Sequence, residues 1–212
     1  MGNLLVKQDE PSLAFGGQAL IEGVMLRSGK HMVMCVRQPD KEIITHAESI
    51  ESLCRKHRVL GLPFLRGVII LFETLYYGIK SVYFSANTVL EEEEKLTYKE
   101  LLLVVAMVLA FSCFFIVVPF LLTTFFGLTG LFFNVVEAAV RLTFFILYLV
   151  LVSRWGEFSR VLQYHGAEHK TINAHEAGAA LDVENIKRFT RLNPRCGTSF
   201  LFIVMIISII LF

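Results

Sequence analysis

An apolar run without a charged side chain extends from position 101 to position 126, and it constrains the fold more than any other stretch of the chain. A helix needs about 20 apolar residues to cross the hydrocarbon core of a bilayer, and this run is longer. After a short turn at 127–130, a second apolar stretch covers 131–152. Two such stretches joined by so short a turn predict an antiparallel hairpin of transmembrane helices.

The composition also favours a membrane protein. Hydrophobic residues make up 55% of the 212 positions, whereas soluble domains contain about 45 to 50%. The formal net charge of +1 gives no overall basic field, so nucleic acid is not an expected partner. The four cysteines form no C-x-x-C pair, which argues against a disulfide framework. The predicted fold class is a mainly α integral membrane protein, with the lipid bilayer as its first partner.

The N-terminal part is polar and contains two β-prone runs, 32–37 and 42–47, joined by a Pro-Asp turn that favours a β-hairpin. Cys35 and His46 in this hairpin are expected to pack or to be exposed rather than to bind a metal. In the helical stretch that follows, Arg66, Glu73 and Lys80 recur every seven residues on one stripe. Such a stripe is typical of an amphipathic helix that lies in the membrane interface.

Five segments are predicted from these features. The 13 residues from 200 onwards are apolar but too few to span a bilayer, so they predict a third transmembrane helix that is truncated. The segments are 1–62, a cytoplasmic Gly-rich region with the small N-terminal β-hairpin; 63–100, the interfacial amphipathic helix and an acidic linker; 101–153, the transmembrane hairpin; 154–198, a cytoplasmic segment with a candidate metal site; and 199–212, the start of the third span.

Charges inside and beside the predicted hairpin indicate its packing and its orientation. Glu137 and Arg141 lie within the second span at a spacing that allows an ion pair, which suits either a structural clamp or a polar path for ions. Lysine and arginine are frequent on both flanks of the hairpin and absent from its turn. Both flanks are therefore predicted to be cytoplasmic, with a helix continuing from the membrane through Trp155 and Phe158.

The residues best suited to chemistry stand between Tyr164 and Lys170. His165 and His169 lie one helical turn apart and can bind one ion, while Glu168 can reach a water on that ion without being a ligand. This is the H-x-x-E-H order of the inverted zincins. In that arrangement zinc lowers the pKa of its water to about 7 and the glutamate takes the proton. The motif predicts a zinc site with the two histidines as ligands and Glu168 as the catalytic base.

A third ligand must come from another part of the chain. Cys196 is the better candidate, because a thiolate suits zinc and a turn containing proline and glycine can present it. Glu176 lies on the face of His169 but two turns further, which is too far for one ion unless the helix breaks at Gly178. Glu22, in the glycine-rich stretch, is another candidate carboxylate. In the alternative interpretation the histidines pack beside the membrane surface and the cysteine is a small hydrophobe.

Three blocks of sequence resemble a known family. They are 16–25, Gly-Gly-Gln-Ala-Leu-Ile-Glu-Gly-Val-Met; 164–171, Tyr-His-Gly-Ala-Glu-His-Lys-Thr; and 194–199, Pro-Arg-Cys-Gly-Thr-Ser. Together they resemble the YqhQ-like family of bacterial membrane proteins, which are catalogued as predicted metal-dependent enzymes of unknown function. The resemblance implies a protein of the bacterial plasma (inner) membrane and a C-terminally shortened copy, since members are typically longer.

The third block departs from the family at one position. Members usually have a histidine where this chain has Asn193, so a site that uses this histidine would be altered here. Whether the nearby His175 substitutes for it is open. Asn193 is otherwise well suited to a cap or a turn, and together with Pro194 it is predicted to end a polar helix over 182–191.

Three functions are compatible with these features. The first is a membrane-bound, zinc-dependent hydrolase at the cytoplasmic face, for which the motif order suggests peptide or amide cleavage of an unidentified substrate. The second is a non-catalytic scaffold, or a transport or assembly component, with a structural metal. The third makes Cys196 a nucleophile activated by one of the histidines. A second copy of the chain or another membrane protein is open as a partner in each case.

Overall fold

A computed structural model describes residues 15–197, 199, 202–204 and 206–207. The predicted third span at 199–212 therefore lies mostly outside the described residues. The chain is mainly helical, with a small antiparallel sheet at the start of the described part. The elements are β1 (Phe15–Leu20), β2 (Gly23–Ser28), β3 (His31–Arg37), β4 (Ile43–Ser49), α1 (Leu53–Lys56), α2 (Pro63–Val89), α3 (Tyr98–Phe125), α4 (Gly130–Ser153), α5 (Gly156–Glu176) and α6 (Val183–Lys187), with short 3-10 turns at Arg58–Gly61 and Glu92–Glu94.

The four strands form one antiparallel sheet in the order β1-β2-β3-β4. The predicted hairpin corresponds to β3 and β4, in which Arg37 pairs with Ile43 across the turn. Most of the glycine-rich stretch 16–25 forms β1 and β2. Only the two residues between these strands form a turn, in which Glu22 has a φ of +52°.

Two helices pack on opposite faces of the sheet. Successive strand residues point to opposite sides, so each face has its own set of side chains for one helix to contact. On one face, α2 covers an apolar core formed by Leu20, Met25, Met32, Met34, Val36 and Ile50. Small residues of α2 allow a close approach, and a Cβ at Gly78 would lie 2.8 Å from Gln18 Oε1. On the other face, α5 lies against β1, where Phe15 contacts His175 with ring centroids 4.4 Å apart.

Helices α3 and α4 are the two apolar helices that the sequence predicts. Each is long and apolar enough to cross a membrane, and the most apolar window of α3 has a mean hydropathy of 3.1 with no buried residue. A capping box between Thr97 and Glu100 starts α3, which satisfies two of its first amides. Inside α4, Glu137 and Arg141 form the ion pair that their spacing suggests. Arg141 Nε is buried and has no hydrogen-bond partner among the described residues.

Two helical predictions need correction. The helix expected to run without interruption from the membrane through Trp155 is broken, because Trp155 is extended with φ −79° and ψ 126° and α5 begins only at Gly156. The segment 182–191, expected to be helical throughout, contains only the five-residue α6. Beyond α6, the carbonyls of Thr190 and Leu192 accept hydrogen bonds from the side-chain amide of Asn173 on α5. If α6 continued, the Lys187 carbonyl would accept a hydrogen bond from the Arg191 amide, but it accepts one from Lys170 Nζ of α5 at 2.7 Å instead.

Candidate metal centre

The two histidines of the motif face one another on α5. His165 Nε2 and His169 Nε2 are 3.0 Å apart. His169 Nδ1 lies 2.7 Å from the backbone oxygen of Arg191. Since a carbonyl oxygen only accepts hydrogen bonds, Nδ1 carries the proton and Nε2 of the neutral ring holds a lone pair directed at His165. A backbone contact of this kind fixes the tautomer of many metal-binding histidines.

Cys196 reaches this pair from a turn that starts at Asn193. The side-chain oxygen of Asn193 accepts a hydrogen bond from Arg195 N at 2.9 Å, and its backbone oxygen accepts one from Cys196 N at 3.2 Å. Pro194 holds the φ that the second position of such a turn needs. The turn places Cys196 Sγ 3.4 Å from His165 Nε2. Asn193 is buried and acts here as a turn residue rather than as part of the cluster.

The three side chains are close enough together to hold one metal ion. The imidazole nitrogens and the sulfur all lie within 4.8 Å of one another. In a tetrahedral zinc site, bonds of about 2.0 to 2.1 Å to nitrogen and about 2.3 Å to sulfur separate two nitrogens by about 3.4 Å and a nitrogen from a sulfur by about 3.6 Å. His165 Nε2 lies 3.0 Å from His169 Nε2 and 3.4 Å from Cys196 Sγ, and both separations are within a few tenths of an ångström of these values. Two imidazoles and a thiolate are donors that zinc accepts, and three protein ligands leave a fourth position open.

Burial favours the uncharged form of the first histidine. His165 is half-buried, and this desolvation lowers the pKa of its imidazole, with a smaller contribution from neighbouring His169. A neutral imidazole is the form that binds a metal.

Glu168 connects the cluster to the sheet. Its side chain is buried, and desolvation raises the pKa of its carboxyl group while His169 acts in the opposite direction. One oxygen, Oε2, lies 3.7 Å from His169 Nε2, the nitrogen that faces the cluster. The other, Oε1, lies against Gly17 of β1. A buried carboxylate with a raised pKa is a better proton acceptor than one in water, as a general base requires.

The other candidate ligands lie outside this cluster. Glu22 forms an ion pair with Arg160 and accepts a hydrogen bond of 3.2 Å from the Tyr164 hydroxyl. Glu176 forms an ion pair with Arg195 and does not belong to the cluster of His165, His169 and Cys196. Gly178, with a φ of +68°, lies just beyond the end of α5 and does not bend Glu176 towards His169.

Three further side chains also pack elsewhere. His175 lies against Phe15 and does not replace a missing histidine. Cys35 Sγ is 3.5 Å from Thr45 Oγ1, and the ring of His46 is 5.3 Å from that of Phe84. The expectation that Cys35 and His46 pack rather than join the metal cluster agrees with these contacts.

Two contributors were missed by the interpretation of the sequence. The carbonyl of Arg191 orients His169, but a backbone oxygen has no signature in a sequence. Gly17 provides the space that the Glu168 carboxylate occupies, since a Cβ at this position would overlap that carboxylate. The pair of glycines at 16 and 17 was a usable signal, because a glycine in a strand often marks a close approach.

The close contact at Gly17 gives a testable prediction. The substitution Gly17→Ala forces the buried Glu168 side chain to move, and overpacking of this kind costs about 1 to 3 kcal/mol. We expect a lower thermal unfolding midpoint in detergent micelles for this variant. Gly16→Ala is the matched control, since a Cβ there has nothing within 4 Å. Equal midpoints for the two variants would show that the contact with Glu168 has no energetic weight.

Comparison with known proteins places the chain in a family. The model of the family described as "Protein of unknown function (DUF1385)" matches residues 62–212, which include α2 to α6 and all three members of the cluster. The "Uncharacterized protein YqhQ" of Bacillus subtilis (strain 168) is 33% identical over 225 aligned residues, which cover 94% of this chain and 68% of that protein. No solved structure matches the chain. The predicted resemblance is confirmed, and the chain belongs to the DUF1385 family of YqhQ-like proteins.

Proposed function

We propose that this protein is a zinc-dependent hydrolase bound to the bacterial plasma membrane, with its site at the cytoplasmic face. The convergence of His165 Nε2, His169 Nε2 and Cys196 Sγ within 4.8 Å is the observation that carries the proposal. Cys196 is distant from the two histidines in sequence, and packing alone does not require its sulfur to lie beside their imidazoles. The order of the motif favours an amide or peptide bond as the target, while the substrate itself is not identified.

The membrane location is supported by the surfaces of three helices. Helices α3 and α4 expose apolar side chains along nearly their whole length, including Leu102, which is 71% exposed. A soluble protein rarely exposes so large an apolar surface. The first half of α2 exposes Phe64 and Phe72 while Glu73 is buried against Leu53 N, which suits a helix lying in the interface. Basic residues on both flanks of the α3–α4 hairpin favour the cytoplasmic orientation.

The residues of the site have complementary roles in this proposal. His165, His169 and Cys196 would hold the ion, which when bound would act as a Lewis acid that lowers the pKa of water and polarises a carbonyl. Glu168 takes a proton from the attacking water and donates it to the leaving amine. Arg191 keeps His169 in the tautomer that leaves Nε2 unprotonated. Gly17, which has no side chain, leaves the space that the carboxylate of Glu168 occupies against β1.

The metal content of the purified full chain tests the proposal. We expect one zinc per chain after purification in detergent without added chelator. Zinc should also protect Cys196 from alkylation by iodoacetamide, and removal of the metal should expose the thiol to the reagent. Protein that contains no zinc and takes up none, or Cys196 that alkylates at the same rate with and without zinc, would count against a metal site.

The same measurement separates a cysteine-nucleophile enzyme from a metal enzyme. The distance of 3.4 Å between Cys196 Sγ and His165 Nε2 also suits a thiol activated by an imidazole. If Cys196 is the nucleophile, alkylation of its thiol abolishes turnover, and added zinc inhibits turnover. In the zinc enzyme, turnover requires the metal and is lost with chelation.

The second candidate, a scaffold or transport component, is supported by the ion pair between Glu137 and Arg141 halfway along α4. The substitution Glu137→Ala leaves an unpaired arginine near the centre of the membrane, which costs about 3 kcal/mol. We expect a clearly lower unfolding midpoint for this variant. The double variant Glu137→Gln, Arg141→Met should recover most of the loss, because it removes both charges.

If the single and double variants lose the same stability, the pair is not the reason for either loss. The scaffold or transport function further requires that Glu137 variants fail in the cell even when they fold and bind zinc. Under the hydrolase proposal, Glu137 variants that retain fold and zinc keep their activity.

A further inference from the structure

A cleft of about 530 Å³ lies at one end of the sheet, and its lining does not include His165, His169 or Cys196. It is formed where the β1–β2 turn, the β3–β4 turn, the end of α2 and the first part of α5 meet. Its charged lining consists of Glu22, Arg37, Lys41 and Arg160, and Val89 contributes apolar surface. Its volume is within the range of small-molecule sites, which is about 300 to 1,000 Å³.

The backbone around this cleft is strained at two places. Glu22 and Lys41, with φ of +52° and +73°, are the two non-glycine residues with positive φ in the described part of the chain. Both line the cleft. Positive φ costs energy for a residue with a long side chain, and such residues cluster at functional sites. A hydrogen bond of 2.8 Å from Arg37 N to Glu22 O holds the two turns together.

The charge of the cleft is positive. Glu22 is paired with Arg160 through both carboxylate oxygens, which leaves Arg37 and Lys41 as the cations that can receive a ligand. Neither of these two side chains forms a salt bridge with another described residue. Asp40 belongs to the same turn, but its carboxylate accepts a hydrogen bond from Glu42 N at 3.0 Å and is not part of the lining.

An arginine and a lysine at one cleft are suited to a phosphate group. The planar guanidinium can donate two parallel hydrogen bonds to phosphate oxygens, and the ammonium adds a point charge. The excess of positive charge favours a ligand with net negative charge over a zwitterionic one.

The position of the cleft indicates where such a phosphate comes from. Arg160 follows the last residue of α4, Ser153, by only seven positions, and Val89 is the last residue of α2, the proposed interfacial helix. Both elements therefore bring the cleft to the level of the membrane surface, where anionic headgroups attract lysine and arginine. We propose that this cleft binds the phosphate of an anionic lipid headgroup through Arg37 and Lys41. The inference rests on the proposed membrane location and not on the proposed chemistry.

The test uses the full chain in a neutral detergent and three soluble probes. They are dihexanoylphosphatidylglycerol, dihexanoylphosphatidylcholine and inorganic phosphate, each titrated by calorimetry. We expect the anionic lipid to bind at least tenfold more tightly than either of the other two. Equal affinities for the two lipids would overturn the proposal, and inorganic phosphate binding as tightly as the anionic lipid would overturn the lipid assignment.

Variants assign the binding to the cleft. Arg37→Gln with Lys41→Asn should weaken binding of the anionic lipid at least tenfold, and asparagine is chosen because it tolerates the positive φ at position 41. Lys30→Gln is the control, since this exposed lysine lies in the β2–β3 turn at the other end of the sheet. Unchanged affinity in the double variant would sink the proposal. Arg37→Gln alone serves if the double variant does not fold, with a loss of threefold or more expected.

The lipid site and the metal enzyme can fail separately. Lipid titrations on protein stripped of metal with a chelator should give the same affinity as on the metal-loaded protein. The double variant should retain the zinc content of the wild type. A protein without zinc that still binds the anionic lipid through Arg37 would leave this inference standing and remove the hydrolase proposal.

Discussion

His169→Ala is expected to lower zinc affinity by a factor of about 100 or more. Loss of a group that only orients a metal ligand costs about 10 to 100-fold, and His169 is proposed as a ligand itself. Its Nε2 lies 3.0 Å from His165 Nε2, its Nδ1 is held by the Arg191 carbonyl, and among the described residues the cluster contains no third histidine that could replace it. The affinity is measured by competition with a chromophoric chelator, and the stoichiometry by mass spectrometry of the purified protein.

His175→Ala is the matched control for this substitution. His175 is on the same helix, but its ring packs against Phe15 and is not part of the cluster. The control should therefore bind zinc with the affinity of the wild type. If His169→Ala retains full affinity, or if both variants lose the metal together, the zinc is held at another place or the helix has unfolded. A circular dichroism spectrum distinguishes those two outcomes.

The strongest sequence signals were those that depend on local periodicity. The spacing of His165 and His169 determines that they share a helical face, whatever the rest of the chain does. The apolar runs of α3 and α4 similarly favour helices, because a helix satisfies its own backbone hydrogen bonds, as a run of this length and composition would need in a membrane. The fold of these parts was therefore predicted with bounds close to those of the structure.

Features that depend on contacts between distant segments were predicted less well. The glycine-rich stretch did not predict that Phe15–Leu20 forms an edge strand against α5, since glycines weaken a strand and the partner of the close approach at Gly17, Glu168, is found only in three dimensions. The choice of Cys196 over Glu176 as the third ligand was made from chemistry. In the structure Glu176 forms an ion pair with Arg195, and Cys196 Sγ lies 3.4 Å from His165 Nε2, while the role of Cys196 as a ligand stays a prediction.

The break at Trp155 has a similar origin. The residues after α4 are compatible with a continuous helix, so the sequence favoured one. In the structure α5 instead starts anew at Gly156 and lies along β1. Packing against the sheet decides the direction of α5, and a local pattern does not contain that information.

Glu168→Gln is expected to separate metal binding from catalysis. Glutamine has the shape of glutamate but cannot accept a proton from water at neutral pH, so the general-base contribution of about 10² to 10⁴ in rate should be lost. Zinc content should be unchanged, because the cluster is completed by His165, His169 and Cys196 without this carboxylate. Cleavage of a quenched fluorescent peptide library by the detergent-solubilised protein gives the rate.

The exposed Glu157 in the first turn of α5 provides the control Glu157→Gln, which should affect neither zinc nor rate. A Glu168→Gln variant that loses its zinc would make Glu168 a fourth ligand and favour a structural metal. A variant with full zinc and an undiminished rate would show that proton transfer does not pass through Glu168. Glu168 would then have only a packing role between Gly17 and His169, and the burial that raises the pKa of its carboxyl group would not serve proton transfer.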